Sequence, residues 1–153
     1  KYWSTKDPSE SLEIRIDNLS IINDILQKNN IFFFLEGQTL NHIFKNNCLD
    51  PSDHDDDVGV YYKDRKKIIG LDDTFNKNGF EIIRINDSMI SVCRMYRYID
   101  ICLFKNYLLT IGYGNKKFSK KYYSKFSTLN FENIEFKIPN NAEEFLKTRY
   151  EIK

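Results

Sequence analysis

Glycine, proline and cysteine are scarce in this chain, and long hydrophobic runs are missing. The 153 residues include only 6 glycines and 3 prolines, which excludes a collagen-like or linker-like chain. The 3 cysteines are odd in number and lack C-x-x-C spacing, so they indicate neither a disulfide framework nor a zinc site. We therefore expect a reducing compartment. No apolar run approaches the roughly 20 residues that a membrane helix needs, so no transmembrane segment is expected.

The charge of the chain is balanced. Lys and Arg number 23 against 22 Asp and Glu, for a net charge of +1, which does not favour a nucleic-acid partner. Hydrophobic residues make up 41% and aromatic residues 15%, as in globular proteins. We expect one domain over residues 1–153. The start at Lys1 shows no signal peptide, from which we expect a cytoplasmic, bacterial-type location, or the secretory pathway for a eukaryotic relative. Membership of a longer chain or a complex stays open.

Hydrophobic periodicity predicts the order of the elements. Apolar residues at three- and four-residue spacing predict a helix that Asp7 caps, that has Pro8 in its first turn and that ends at Asn29-Asn30. Runs with strand patterns alternate with two further helical segments before a closing strand and helix. The sequence thus predicts an α/β (α+β) fold, a mixed β-sheet flanked by helices. The predicted strands are 31–35, 57–62, 80–85, 89–95, 98–104 and 134–138, and the middle helices are 39–45 and 64–78.

An acidic cluster precedes the second predicted strand. Four carboxylates fall within five residues, at Asp53, Asp55, Asp56 and Asp57, and they repel one another unless a positive charge lies among them. On an extended backbone Asp55 and Asp57 point to the same side, roughly 7 Å apart. Oxygen ligands of this kind favour Mg²⁺ or Mn²⁺ together with substrate phosphates. The cluster therefore predicts a phosphoryl-transfer site.

A third carboxylate is expected from a neighbouring strand. Asp100 lies between Ile99 and Ile101, where an unpaired charge is costly, and it can ligate metal or accept a proton from an attacking hydroxyl. Two other interpretations of the acidic cluster are a solvated loop and a calcium-binding loop. Val58 stands where a calcium loop needs glycine, which argues against the second.

The residues around the cluster resemble the LicD/fukutin family. The resemblance rests on Leu35-Glu36-Gly37-Gln38-Thr39-Leu40, Lys45, Pro51, Asp53 to Val60, Asp100-Ile101 with Leu103-Phe104, and Ile138-Pro139 through Tyr150. It implies a nucleotidyltransferase-like fold and a Mg²⁺-dependent enzyme of cell-surface polysaccharide biosynthesis. Such an enzyme moves a phospho-alcohol, such as phosphocholine or an alditol phosphate, from a CDP-linked donor to a glycan hydroxyl and forms a phosphodiester.

The same resemblance implies roles for individual residues. Asp55, Asp57 and Asp100 are expected to be catalytic residues and metal ligands. The resemblance also implies that Gly37, Thr39 and Lys45 bind substrate, and we add Gln38, Asp53, His54, Arg94 and Arg97 to the expected substrate-binding residues. The chain departs from the family pattern at Gln38, at Asn41-His42, at Lys45 in place of Arg, at Ser52 and at Asp56 in place of an apolar residue.

Two other functions stay open at this point. One is a minimal nucleotidyltransferase that moves a nucleotide onto a small molecule, a protein or RNA. The other is a non-catalytic module of the same fold that binds a glycan or a partner chain. Three arginines on or between predicted strands, Arg84, Arg94 and Arg97, are candidates to clamp donor phosphates or to neutralise carboxylates.

Overall fold

The computed structural model describes residues 8–151 and confirms the predicted class, a mixed α+β fold whose sheet is flanked by helices. Asp7, the predicted cap of the first helix, lies outside the described residues. The helices are α1 (Pro8–Lys28), α2 (Gly37–Asn46), α3 (Arg65–Ile69), α4 (Asp72–Lys77) and α5 (Ala142–Leu146), followed by a π-helical turn (Lys147–Glu151). The strands are β1 (Phe33–Leu35), β2 (Asp55–Tyr61), β3 (Glu81–Ile85), β4 (Met89–Arg94), β5 (Arg97–Asn106), β6 (Thr110–Tyr113), β7 (Lys116–Ser119), β8 (Phe126–Phe131) and β9 (Ile134–Pro139).

Seven of these strands form one sheet, in which β2 and β5 lie side by side. The order is β1-β2-β5-β4-β3, with β6 and β7 extending from the far end of β5. The β2–β5 pair is parallel, and every other pair is antiparallel. The remaining strands, β8 and β9, form a separate hairpin that packs on β1. The sheet therefore places the acidic start of β2 directly beside β5.

The two faces of the sheet are covered differently. On one face α1 contacts β2 and β5 through buried side chains such as Leu19 and Ile22, and it covers Val58 and Ile101. Successive side chains of a strand point to opposite faces. The other face of the sheet therefore carries the residues that precede and follow Val58 and Ile101 along their strands. An aromatic cluster centred on Phe34 covers part of that second face. The start of β2 lies beyond this aromatic cover.

Two parts of the fold differ from the prediction. The single helix predicted over 64–78 is two short helices, since α3 ends before Gly70 and α4 begins at Asp72. The strands β7 and β8 were not predicted, because β7 begins with two lysines and polar residues dominate the run between Phe126 and Phe131. In the part of the chain that the structure describes, no helix is long and apolar enough to span a membrane.

Candidate active site

The parallel pairing of β2 and β5 brings the predicted carboxylates together. Asp57 lies opposite Asp100, and Asp55 lies opposite Tyr98, so all three carboxylates project from the same face of the sheet. One carboxylate oxygen from each of Asp55, Asp57 and Asp100 lies within 4.8 Å of the other two. Asp100 is 5% exposed, whereas Asp55 and Asp57 are half-buried. We call these three residues the carboxylate triad.

The triad carries unfavourable negative charge. Burial, and then the charge of Asp100, raises the pKa of Asp57 to about 8. The same two causes raise the pKa of Asp55 to about 6. Ser91 donates a hydrogen bond from Oγ to Asp100 Oδ1 at 2.6 Å, and Arg84 Nη2 donates to the same oxygen at 3.2 Å. These two donors fix the orientation of Asp100.

A hard divalent cation fits this donor set. Three carboxylates that converge without an equal number of protein cations bind protons strongly, as the raised pKa values of Asp55 and Asp57 show. A Mg²⁺ or Mn²⁺ ion held there would replace those protons and supply the positive charge that the three carboxylates lack. The residues that would hold the metal are Asp55, Asp57 and Asp100.

Gly37 brings the start of α2 against the triad. Its φ of +62° favours glycine, and a Cβ at this position would lie 2.8 Å from Asp57 Oδ2. The first residue of α2 and the carboxylate of Asp57 are therefore in direct contact. The N-terminus of a helix favours negative charge, so α2 presents its anion-binding end at the edge of the site.

Behind Gly37, a buried acid is bound by three donors. Glu36 is fully buried and accepts two hydrogen bonds from the guanidinium of Arg149, at 2.8 and 2.9 Å. Tyr113 donates a third from its hydroxyl at 2.6 Å. Burial and the neighbouring Glu36 raise the pKa of Tyr113. The C-terminal turn is thereby tied to the residue that precedes α2.

Asp56 points away from the triad and is neutralised by the protein. It forms a bidentate ion pair with Arg15 of α1 on the opposite face of the sheet. Thr39 donates from Oγ to Asp56 Oδ1 at 3.2 Å and accepts from the Asp57 N–H at 2.9 Å. The Thr39 hydroxyl thus links Asp56 to the backbone of Asp57, and a role of Thr39 in binding substrate stays a prediction.

Of the three arginines that were candidates to clamp donor phosphates or to neutralise carboxylates, Arg84 lies at the triad. Arg94 donates to Asn18 of α1, and Arg97 donates to Ser11 of the same helix. Both guanidinium groups therefore lie on the α1 face, away from the triad, because their positions on β4 and β5 point to that side. The interpretation of Arg94 and Arg97 as phosphate-binding residues does not fit this placement.

The other predicted binding residues lie around α2 and the loop before β2. Gln38 is exposed and accepts a hydrogen bond from Asn41. Lys45 pairs with Glu151 of the C-terminal turn. Asp53 is half-buried and His54 is exposed in the loop that leads into β2. For Gln38, Lys45, Asp53 and His54, a role in binding substrate stays a prediction.

The sequence did not lead us to predict the buried ion pairs of Arg15 and Glu36, although the position of each residue is unusual. Arg15 interrupts an apolar stripe of α1, between Leu12 and Leu19, and a charged residue in such a stripe points to a buried partner. Glu36 directly follows the apolar run of β1, but nothing in the sequence identifies Arg149, 113 positions later, as its partner. Long-range pairing of this kind needs the fold.

A solved structure with a similar fold is the lincomycin-bound crystal structure of the lincosamide antibiotic adenylyltransferase LnuA. The TM-score is 0.56 at 18% sequence identity, over 85% of this chain and 83% of that chain. No family model matches the chain, and no curated protein matches it either. The similarity shows that this protein has a nucleotidyltransferase-like fold. It does not extend to the LicD/fukutin family, so membership of that family stays a prediction.

Proposed function

We propose that this protein is a Mg²⁺-dependent nucleotidyltransferase that transfers a nucleoside monophosphate to a hydroxyl group of a small molecule. The observation that carries the proposal is the carboxylate triad, Asp55 and Asp57 on β2 with Asp100 on β5, within a nucleotidyltransferase-like fold. LnuA, which shares this fold, is an adenylyltransferase with a bound small molecule.

Each residue of the triad has a role in the proposed reaction. Asp55 and Asp57 would hold the metal, which when bound neutralises charge on the donor phosphates. Asp100, oriented by Ser91 and Arg84, would contribute one oxygen to the same metal site, and we assign it in addition the acceptance of the proton of the acceptor hydroxyl. The acceptor oxygen then forms a bond to the α-phosphorus of a nucleoside triphosphate. The bond from that phosphorus to the bridging oxygen breaks, and pyrophosphate leaves.

The start of α2 supports the binding of a phosphate group next to the metal. Gly37 leaves room for close approach, because any side chain there would meet Asp57. Arg84, whose guanidinium is half-exposed at Asp100, can contact the negative charge that develops on the leaving group. The start of α2 thus lies at Asp57, and Arg84 lies at Asp100 on the other side of the triad.

The first experiment measures binding and products together. Calorimetry with the four nucleoside triphosphates in Mg²⁺ or EDTA tests whether a donor binds only with metal. Mass spectrometry then follows a panel of hydroxyl-bearing acceptors, with lincomycin among them, for the gain of a nucleoside monophosphate. The matched variants are Asp57→Asn, expected to be inactive, and Asp24→Asn on the exposed side of α1, expected to be active. Absence of metal-dependent binding for every nucleotide contradicts the proposal.

A second candidate is transfer of a phospho-alcohol from a CDP-linked donor to a glycan hydroxyl. One observation supports keeping it: Glu36, beside Gly37, binds Arg149, so two distant segments that carry the LicD/fukutin resemblance are in contact. The products separate the two reactions, because phospho-alcohol transfer releases CMP whereas nucleotide transfer leaves the nucleotide on the acceptor. Metal-dependent donor binding without any product would instead support a non-catalytic module.

A further inference from the structure

Arg15 is a buried cation on the face of the sheet opposite the carboxylate triad. It is 2% exposed, and Asp56, its partner, is 1% exposed. Arg15 Nε donates to Asp56 Oδ2 at 2.9 Å, and Nη2 donates to Oδ1 at 2.8 Å. Burying two charges costs more than an ion pair of ordinary geometry returns. The pair therefore needs an explanation beyond stability.

The third nitrogen of the same guanidinium holds the loop that enters β2. Arg15 Nη1 donates to the backbone carbonyl of Asp50 at 2.7 Å and to that of Asp53 at 3.2 Å. One side chain of α1 thus fixes both the second residue of β2 and the backbone just before that strand. Only the planar fork of an arginine can make these contacts at once, since a lysine ammonium is a single point.

The network continues from Asp56 to the backbone of the triad. Asp56 accepts a hydrogen bond from Thr39, and the Thr39 hydroxyl accepts one from the N–H of Asp57. Thr39 belongs to α2, whose first residue touches the Asp57 carboxylate. A rotation of the backbone at Asp56 would therefore move Asp55 and Asp57, its two neighbours, in relation to each other.

We infer that Arg15 and Asp56 are positioning residues, which hold the backbone of residues 50–57 so that Asp55 and Asp57 converge on one metal ion. This inference depends on the proposed function in one respect, which is that Asp55 and Asp57 bind a metal ion. The guanidinium of Arg15 binds the carboxylate of Asp56 directly, and the charge of Asp56 raises the pKa of Asp55 and Asp57 less than burial and Asp100 do. The pair therefore acts mainly through the position of the backbone.

The experiment removes the pair without leaving an unpaired charge. The double variant Arg15→Met with Asp56→Leu replaces both members by apolar side chains, which buried ion pairs often tolerate. The control is Lys105→Gln with Asp87→Asn, an exposed ion pair at the opposite end of β5. Calorimetry with Mn²⁺ alone measures the metal affinity of each folded protein. We expect about a tenfold weaker Mn²⁺ affinity in the double variant and wild-type affinity in the control, and a double variant within twofold of wild type overturns the inference.

A second variant keeps the test decisive if the double variant does not fold. Arg15→Lys leaves Asp56 paired but cannot hold both backbone carbonyls, so we expect severalfold weaker Mn²⁺ binding with an unchanged circular dichroism spectrum. Wild-type affinity in Arg15→Lys overturns the inference as well.

Hydrogen exchange separates this inference from the proposed function, because it needs no metal. In Arg15→Lys we expect faster exchange in the peptide that contains residues 50–57, and faster exchange at the Asp57 amide above all. Unchanged exchange there overturns the inference. If wild type binds no Mn²⁺ yet the exchange accelerates, the metal-dependent function fails while the positioning role stands.

Discussion

The carboxylate of Asp57 is the most unfavourable charge of the triad, and its replacement by asparagine tests the electrostatics of the site. Asp57→Asn keeps the shape of the side chain and removes one negative charge and one metal-binding oxygen. We expect the metal-free variant to be more stable than wild type above about pH 7. We also expect its stability to lose most of the response to Mg²⁺ that wild type shows.

The sign and size of the effect follow from the pKa of Asp57. Burial and Asp100 raise that pKa from 3.8 to about 8, so folded wild type keeps a proton that the unfolded chain releases. This difference in proton binding lowers the stability of wild type as the pH rises. The stability that Asp57 contributes is fully present below about pH 4 and is lost as the pH rises towards 8. At about 1.36 kcal/mol per pH unit, the upper bound is about 6 kcal/mol. Water reaches the half-buried carboxylate and lowers this cost, so we expect about 2 kcal/mol.

Urea unfolding followed by circular dichroism measures this difference. The free energy of unfolding is compared at pH 5, 7 and 8.5, first in EDTA and then in excess Mg²⁺, for wild type, Asp57→Asn and the exposed control Asp24→Asn. A metal at 100 times its dissociation constant stabilises the folded state by about 2.7 kcal/mol, and we expect this gain in wild type and in the control. An Asp57→Asn variant that is less stable than wild type at pH 8.5 in EDTA, or whose stability rises as much as that of wild type in Mg²⁺, refutes the reasoning.

Three further substitutions test other parts of the site and its support. Glu36→Gln leaves the buried guanidinium of Arg149 without its carboxylate, and urea unfolding should show a loss of about 3 kcal/mol; a loss below 1 kcal/mol contradicts it. Gly59→Ala places a Cβ 2.3 Å from a phenylalanine ring of β1 and should cost about 2 kcal/mol, whereas Gly70→Ala, with its nearest neighbours at 3.4 Å, should change stability by less than about 0.5 kcal/mol. Arg84→Gln should keep the fold and lower kcat at least about tenfold, because Asp100 loses a cationic donor and the leaving group loses a nearby positive charge; an unchanged kcat contradicts both roles of Arg84.

The sequence was sufficient to predict that the carboxylates of Asp55, Asp57 and Asp100 converge. Alternation along an extended strand placed Asp55 and Asp57 on one side, and the apolar neighbours of Asp100 indicated a buried strand. The structure brings these three residues together. Local patterns of this kind are independent of how distant segments pair, which is why the core strands were also predicted with errors of only a few residues.

Residues whose position depends on long-range packing could not be predicted. Strand alternation also fixes which face a side chain takes, but only the fold shows what covers that face. Arg94 and Arg97 face α1, whereas Arg84 reaches Asp100 across β4. The choice among these three arginines therefore depended on the strand order β2-β5-β4-β3, which hydrophobic periodicity does not contain.

The alternation of side chains along β2 thus divides the acidic cluster into one aspartate whose charge the protein balances and two whose charges it does not. Asp56 points towards α1 and receives the guanidinium of Arg15, so its charge is balanced within the protein at every step of a reaction. Asp55 and Asp57 point to the other face, where their raised pKa values record a charge that the protein leaves unbalanced. Unbalanced carboxylates are what an exchangeable cation requires, since a resident cation such as Arg15 would compete with it. The alternation of balanced and unbalanced aspartates along β2 is therefore an arrangement that would allow a rigid strand to hold a metal ion.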